Sequence, residues 1–181
     1  LVIKRIRAEK TADDSFIRMF QDEARISAAL RHTNIAQVYD FGKVADEYYL
    51  ALEFVPGLNL RDMINHEAQA GRLIPPKIMF RIMIDVLDAL NYAHSRRDDY
   101  GQPMRIVHRD ANPRNIMVST SGETKLIDFG VARATDRLER TRTNHFKGKI
   151  AYMAPEQVQG KEVDQRADIF AMGLTLFEII T

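Results

Sequence analysis

The stretch "IVHRDANPRN", residues 106–115, follows two β-branched apolar residues with a His, two Arg, an Asp and two Asn. An apolar run that empties into so many polar groups reads as a short strand ending in a loop whose side chains have fixed tasks. Asp110 and Asn115 stand five apart in that loop, with Asn112 between them. Working outward, Asp128 lies 18 residues after Asp110, in "IDFG" at the end of the next apolar strand, "TKLIDFGVA". Upstream, Lys4 follows "LVI" on a β-branched strand, and Glu23 comes 19 residues later. Glu23 falls inside the apolar stripe Phe16, Met19, Phe20, Ile26 and Leu30 of a helix expected from about Ser15 to Leu30. A carboxylate on a buried helix face wants a cationic partner, because burying it unpaired is costly.

The composition allows such a site. At 181 residues and 45% hydrophobic, the chain can bury a real core or two small ones. With 26 basic and 25 acidic residues the formal charge is +1, which argues against a general nucleic-acid or membrane-surface binder. The absence of cysteine removes disulfides, thiolate metal sites and Cys nucleophiles. No run reaches the roughly 18 to 20 apolar residues that span a bilayer, and no signal peptide is recognisable. The chain opens in mid-strand and stops within an apolar helical pattern, so it reads as a piece of a longer protein.

Elsewhere, "IAQVYDFG" and "EYYLALEFV" read as strands around a turn, and "PGLN" (56–59) marks a lobe boundary. A polar helix is expected over about 60–70. Pro75 and Pro76 open an amphipathic helix to about His94, with Ile78, Ile82, Val86 and Leu90 on its apolar stripe. "SRRDDYGQPM" is a polar loop. A basic, Thr-bearing segment runs from Arg133 to Lys149, and a last helix begins near Asp168.

Singly, each motif has a plain reading: a chance tripeptide, a good turn, a strand-end charge. Together, V-I-K, a helical Glu, H-R-D-x-x-x-x-N, D-F-G and A-P-E in this order and spacing resemble the protein kinase family across the whole chain. The resemblance implies an α+β, two-lobed kinase fold truncated at both ends. Residues 1–55 would be a β-rich N-lobe remnant, 56–59 the linker and 60–181 part of a mainly helical C-lobe. It implies ATP and Mg²⁺ as cofactors, protein substrates and a cytoplasmic setting, with activity as a serine/threonine protein kinase. Lys4 would hold the α and β phosphates and Glu23 would hold Lys4, which accounts for the buried carboxylate. Asn115 and Asp128 would bind Mg²⁺, a cation of oxygen ligands. Asp110 would accept the proton of the attacking hydroxyl. His108, which could be taken for a base, becomes a packed residue beneath Phe129. For the nucleotide, Leu52 would guard the back pocket, the backbone of Glu53 and Val55 would meet the base, Val2 and Met117 would sandwich it, and Asn59 would reach the ribose. Arg109 marks an activation segment ordered by phosphorylation, with Thr135, Thr141 and Thr143 as acceptors and the last two preferred. Asp168 would brace the H-R-D loop, and Glu156 would pair with an arginine beyond Thr181.

One position departs from the family. Serine/threonine kinases usually carry Lys two residues after the catalytic Asp, where this chain has Asn112. Tyrosine kinases often carry Arg four after it, as Arg114 stands here. "GKIAYMAPE" resembles the serine/threonine pattern, with Lys149 in place of its Thr. Lys149 is therefore expected to supply the cation near Asp110 that position 112 lacks, with Arg114 as the other candidate. The variant loop is similar to eukaryotic-like kinases of bacteria, particularly myxobacterial ones. Two other readings stay open: a pseudokinase that binds nucleotide or partners, and a small-molecule phosphotransferase of related fold. The piece alone is expected to be weakly active.

Overall fold

The computed structural model describes residues 1–5, 14–45, 47–129 and 150–181, and within the helix over 14–29 the side chains of Ile17, Gln21 and residues 24–29. Its elements are β1 (Val2–Arg5), α1 (Asp14–Ala29), β2 (Val38–Val44), β3 (Glu47–Leu52), β4 (Gly57–Asn59), α2 (Leu60–Gln69), α3 (Pro76–His94), β5 (Ile116–Ser119), β6 (Thr124–Leu126), α4 (Pro155–Val158) and α5 (Arg166–Ile180). A single 3₁₀ turn over Pro113–Asn115 precedes β5.

Among the described residues, two antiparallel sheets organise the fold. The first has the order β1-β3-β2, with Lys4 opposite Leu50. Its own small core joins Ala24 of α1 to Val38 and Leu50, with Phe41, Tyr48 and Leu52 packed around them. The second has the order β4-β5-β6 and rests on a larger core built on α3, with Val86, Leu90, Ile116, Leu126 and Met172 almost fully buried. Two sheets with two cores make the two lobes expected of the sequence. Residues 34–36 cross between them: Leu126 N donates to Asn34 O (2.8 Å) and Ala36 N to Leu126 O (3.0 Å).

Some details differ from the sequence reading. The segment 57–59 is a strand rather than a free linker, with Leu58 paired to Val118. Gly57 permits this, because a Cβ there would lie 2.0 Å from Val118 O. Residues 106–112 form no strand; only 116–119 pair in the sheet. On α3, Ile78 is 46% exposed, whereas Met79 and Met83 are buried beside Ile82, Val86 and Leu90. A strict four-residue spacing rotates about 40° per step around a helix of 3.6 residues per turn, so Ile78 has drifted off the buried face. No helix among the described residues is long and apolar enough to cross a membrane.

Candidate active site

The loop 106–115 is held from below by one buried carboxylate. Asp168, in the first turn of α5 and 1% exposed, accepts from His108 N through Oδ2 and from Arg109 N through Oδ1, both at 2.8 Å. His94 Nε2, at the end of α3, lies 2.8 Å from the same Oδ2. Gln157 Nε2 on α4 adds a bond to Arg109 O at 2.8 Å. Arg109 itself has φ 69°, in the left-handed region that costs a non-glycine residue free energy unless its surroundings impose it. Here they do.

Above that brace, the loop's polar groups converge on Asp110. Asn112 Nδ2 donates to Asp110 Oδ1 and to Asp110 O, each at 2.9 Å. Asn115 Nδ2 reaches Asp110 O at 2.8 Å and Oδ2 at 3.1 Å. Asn112 also caps the 3₁₀ turn, its Oδ1 accepting from Arg114 N at 3.0 Å. The residue that replaces the family's lysine is thus a buried amide that fixes the carboxylate and the turn carrying Asn115 as one unit. Arg114 contributes this backbone N–H, and its side chain is exposed.

Asp128 closes the site from the next strand. Its φ is 62°, so this turn too is strained, and it is clamped on several sides. Lys4 Nζ stands 2.8 Å from Asp128 Oδ2. Ser27 Oγ, buried on α1, donates to Phe129 O at 2.7 Å. The Phe129 ring packs on His108 with centroids 4.6 Å apart, and His108 Nε2 lies 3.0 Å from Ile127 O. His108 is fully buried, as expected of a packed residue rather than a base. Nothing in the sequence singled out Ser27, because a serine four after Glu23 looks like any helical serine. Ser27→Ala leaves Phe129 O without this donor and should cost about 1–3 kcal/mol, read as a lower midpoint in chemical denaturation. An unchanged midpoint would mean that the hydroxyl holds nothing.

Between the lobes lies an apolar cavity of about 410 Å³. Of the residues expected around a nucleotide, it brings together Val2, Lys4, Leu52, Glu53, Val55, Met117 and Asp128. Asn59 is not in that lining. Its side chain caps α2 instead, with Oδ1 accepting from Asp62 N (2.9 Å) and Nδ2 donating to Asp62 Oδ2 (2.7 Å). The donor set suits Mg²⁺: Asp128 Oδ1 and Asn115 Oδ1 have no partner among the described residues, and a cation that keeps several waters needs only one or two such protein oxygens.

A third cluster anchors the "AYMAPE" segment. Arg61 of α2 binds Glu178 of α5 and the Tyr152 hydroxyl, and Tyr152 in turn donates to Glu178. Burial, and then the bond to Glu178, pushes the Tyr152 hydroxyl up to about 12, so it stays a donor throughout the physiological range. The Glu23 side chain lies outside the described residues, as do Lys149, Thr135, Thr141 and Thr143.

A small sheet lobe, a helical lobe, an apolar cleft between them and an Asp-Asn loop facing a strained Asp turn make up the architecture of a protein kinase. The chain belongs to the protein kinase family: the family model of the protein kinase domain matches residues 1–181. It is 41% identical over 181 residues to tyrosine-protein kinase MasK of Myxococcus xanthus, covering all of this chain and 28% of that protein. Serine/threonine-protein kinase PrkC of Bacillus subtilis is 36% identical over 181 residues, of which the match spans 26%. The crystal structure of the Mycobacterium tuberculosis PknI kinase domain superposes with a TM-score of 0.73 at 29% identity, covering 98% of this chain and 62% of that one. The chain spans about a quarter of the length of the curated relatives it matches.

Proposed function

We propose that the protein transfers the γ-phosphoryl group of ATP to serine or threonine hydroxyls of proteins, with Mg²⁺ as cofactor and with its catalytic part on the cytoplasmic side. The observation that carries this reading is the convergence of Asn112 and Asn115 on the two oxygens of Asp110, beside a cleft that ends in the Lys4–Asp128 pair. In the reaction, the acceptor oxygen forms a bond to the γ-phosphorus, the bond from that phosphorus to the β–γ bridging oxygen breaks, and the acceptor proton passes to the Asp110 carboxylate. The amides of Asn112 and Asn115 hold that carboxylate in place for the proton. Lys4 leaves Asp128 to meet the α and β phosphates, and Glu23 steadies it there. Asp128 and Asn115 would hold Mg²⁺, which neutralises phosphate charge when bound. The apolar walls from Val2, Leu52 and Met117 bury the base and exclude water, which strengthens each charge interaction at the phosphate end. Thr141 and Thr143 are the proposed sites of activating phosphorylation, a charge that an arginine such as Arg109 would pair with.

A second acceptor class is favoured by two observations. The Myxococcus relative is named a tyrosine kinase, and Arg114 stands where tyrosine kinases often carry arginine. Labelled Mg-ATP, a generic basic protein and the full-length enzyme decide it, with Asp128→Ala as control. Label on Ser/Thr that disappears in the control is expected. Label on Tyr alone would transfer the reading to the second class, and bound ATP with no transfer would make the protein a pseudokinase. Label on a small alcohol but on no protein would favour the phosphotransferase.

A further inference from the structure

Lys125 sits on β6, three residues before Asp128, and none of the site chemistry above uses it. Its Nζ stands 2.9 Å from Glu53 Oε1 and 3.2 Å from Oε2, and 3.1 Å from Thr33 O. Glu53 is bound a second time: Oε2 accepts from Gln37 N at 3.0 Å, and its own N–H donates to Gln37 O at 2.8 Å. The two charged side chains are only 14% and 22% exposed, so the pair is screened far less than an ordinary surface ion pair. One ammonium thereby ties together three stretches of chain: the crossing segment 33–37, the inter-lobe residue Glu53, and the strand that leads to Asp128. Each of the three contributes to the wall of the cavity, through Ala36, Glu53 and Leu126 among others.

We propose that Lys125 is a positioning residue for the adenine end of the nucleotide site, acting through Glu53. This rests on the kinase reading above. The base is to be met by backbone groups at Glu53 and Val55, and backbone groups bind well only if their supports hold them to within a fraction of an ångström. The Glu53 side chain belongs to a residue that lines the cleft. With its carboxylate gripped by Lys125 and Gln37, the peptide units on either side cannot rotate freely. Without Lys125, a mostly buried carboxylate keeps one neutral donor and gains by turning toward water, taking the backbone with it. The phosphate end, built from Lys4, Asp110, Asn115 and Asp128, does not touch the pair.

Titration calorimetry on the full-length protein separates the two ends, because adenosine tests the base and ribose contacts without the phosphates and Mg-ATP tests both ends. For Lys125→Met, the adenosine Kd should rise about 3- to 10-fold, and the Mg-ATP Kd should rise by the same factor, leaving their ratio unchanged. Lys125→Arg, which keeps the charge, should restore both. If Lys125→Met fails to fold, Glu53→Gln removes the same ion pair with little change of shape and should give the same fold-changes. An adenosine affinity untouched by either substitution overturns the proposal. So does a loss for Mg-ATP that exceeds the loss for adenosine, since the effect would then run through Asp128. Absence of adenosine binding in the wild-type protein would instead sink the nucleotide-site reading itself.

Discussion

Replacing Asp168 by alanine should cost about 3–5 kcal/mol of folding stability and lower the melting temperature by roughly 10 °C or more. The carboxylate is 1% exposed and accepts from two successive backbone amides, at His108 and Arg109, while facing His94. Truncation strands both amides in a site with little access to water, and each unsatisfied buried donor costs about 1–3 kcal/mol. It also removes what forces Arg109 into its left-handed backbone conformation, so the loop carrying Asp110 relaxes as well. Activity should therefore fall even below the melting temperature. Asp168→Asn separates the contributions: its carbonyl still accepts one amide, but its NH₂ opposes the second donor. Its midpoint should fall between those of wild type and alanine. A thermal melt in which Asp168→Ala stays within 2 °C of wild type would contradict this account of the brace.

How much of this could be read beforehand depends on the kind of interaction. Lys4, Asp110, Asn115 and Asp128 were expected at one site because their motifs together resemble the protein kinase family, and the structure sets Lys4 against Asp128 and Asn115 against Asp110. Asp168 and the packed His108 followed from the family resemblance. What stayed hidden were contacts between residues far apart in sequence with no type signature of their own. Ser27 to Phe129 spans 102 positions, Lys125 to Glu53 spans 72, and Arg61 to Glu178 spans 117. A serine, a lysine and an arginine on partly polar faces carry no periodicity that betrays a partner. Asn59 shows the converse: a polar residue at an expected ligand position is also an N-cap by position, and local hydrogen bonding engages its side chain. Of the lysine exchange, one half is visible: the buried Asn112 amide meets the Asp110 carboxylate, and Lys149 lies outside the described residues.

The amide cradle around Asp110 makes the second large effect specific. Asp110→Asn should reduce turnover by about 10²- to 10⁴-fold, the range expected when a positioned proton acceptor is lost. The KM for ATP should change little, because none of the cavity-lining residues is altered. Two donors, Asn112 Nδ2 and Asn115 Nδ2, each point at one oxygen of the carboxylate. An asparagine at 110 can satisfy one of them with its carbonyl, but its NH₂ must then face the other. The side chain loses its proton affinity and also its fixed orientation. Asn112→Ala tests the cradle without removing the base: Asp110 keeps Asn115 as donor, so turnover should fall only about tenfold. Steady-state kinetics on the full-length protein, with phosphate transfer as the signal, measure all three enzymes side by side. If Asp110→Asn keeps turnover within tenfold of wild type, Asp110 is not the proton acceptor. If Asn112→Ala falls as far as Asp110→Asn, the amide acts in the chemistry itself, as the lysine it replaces does in the family.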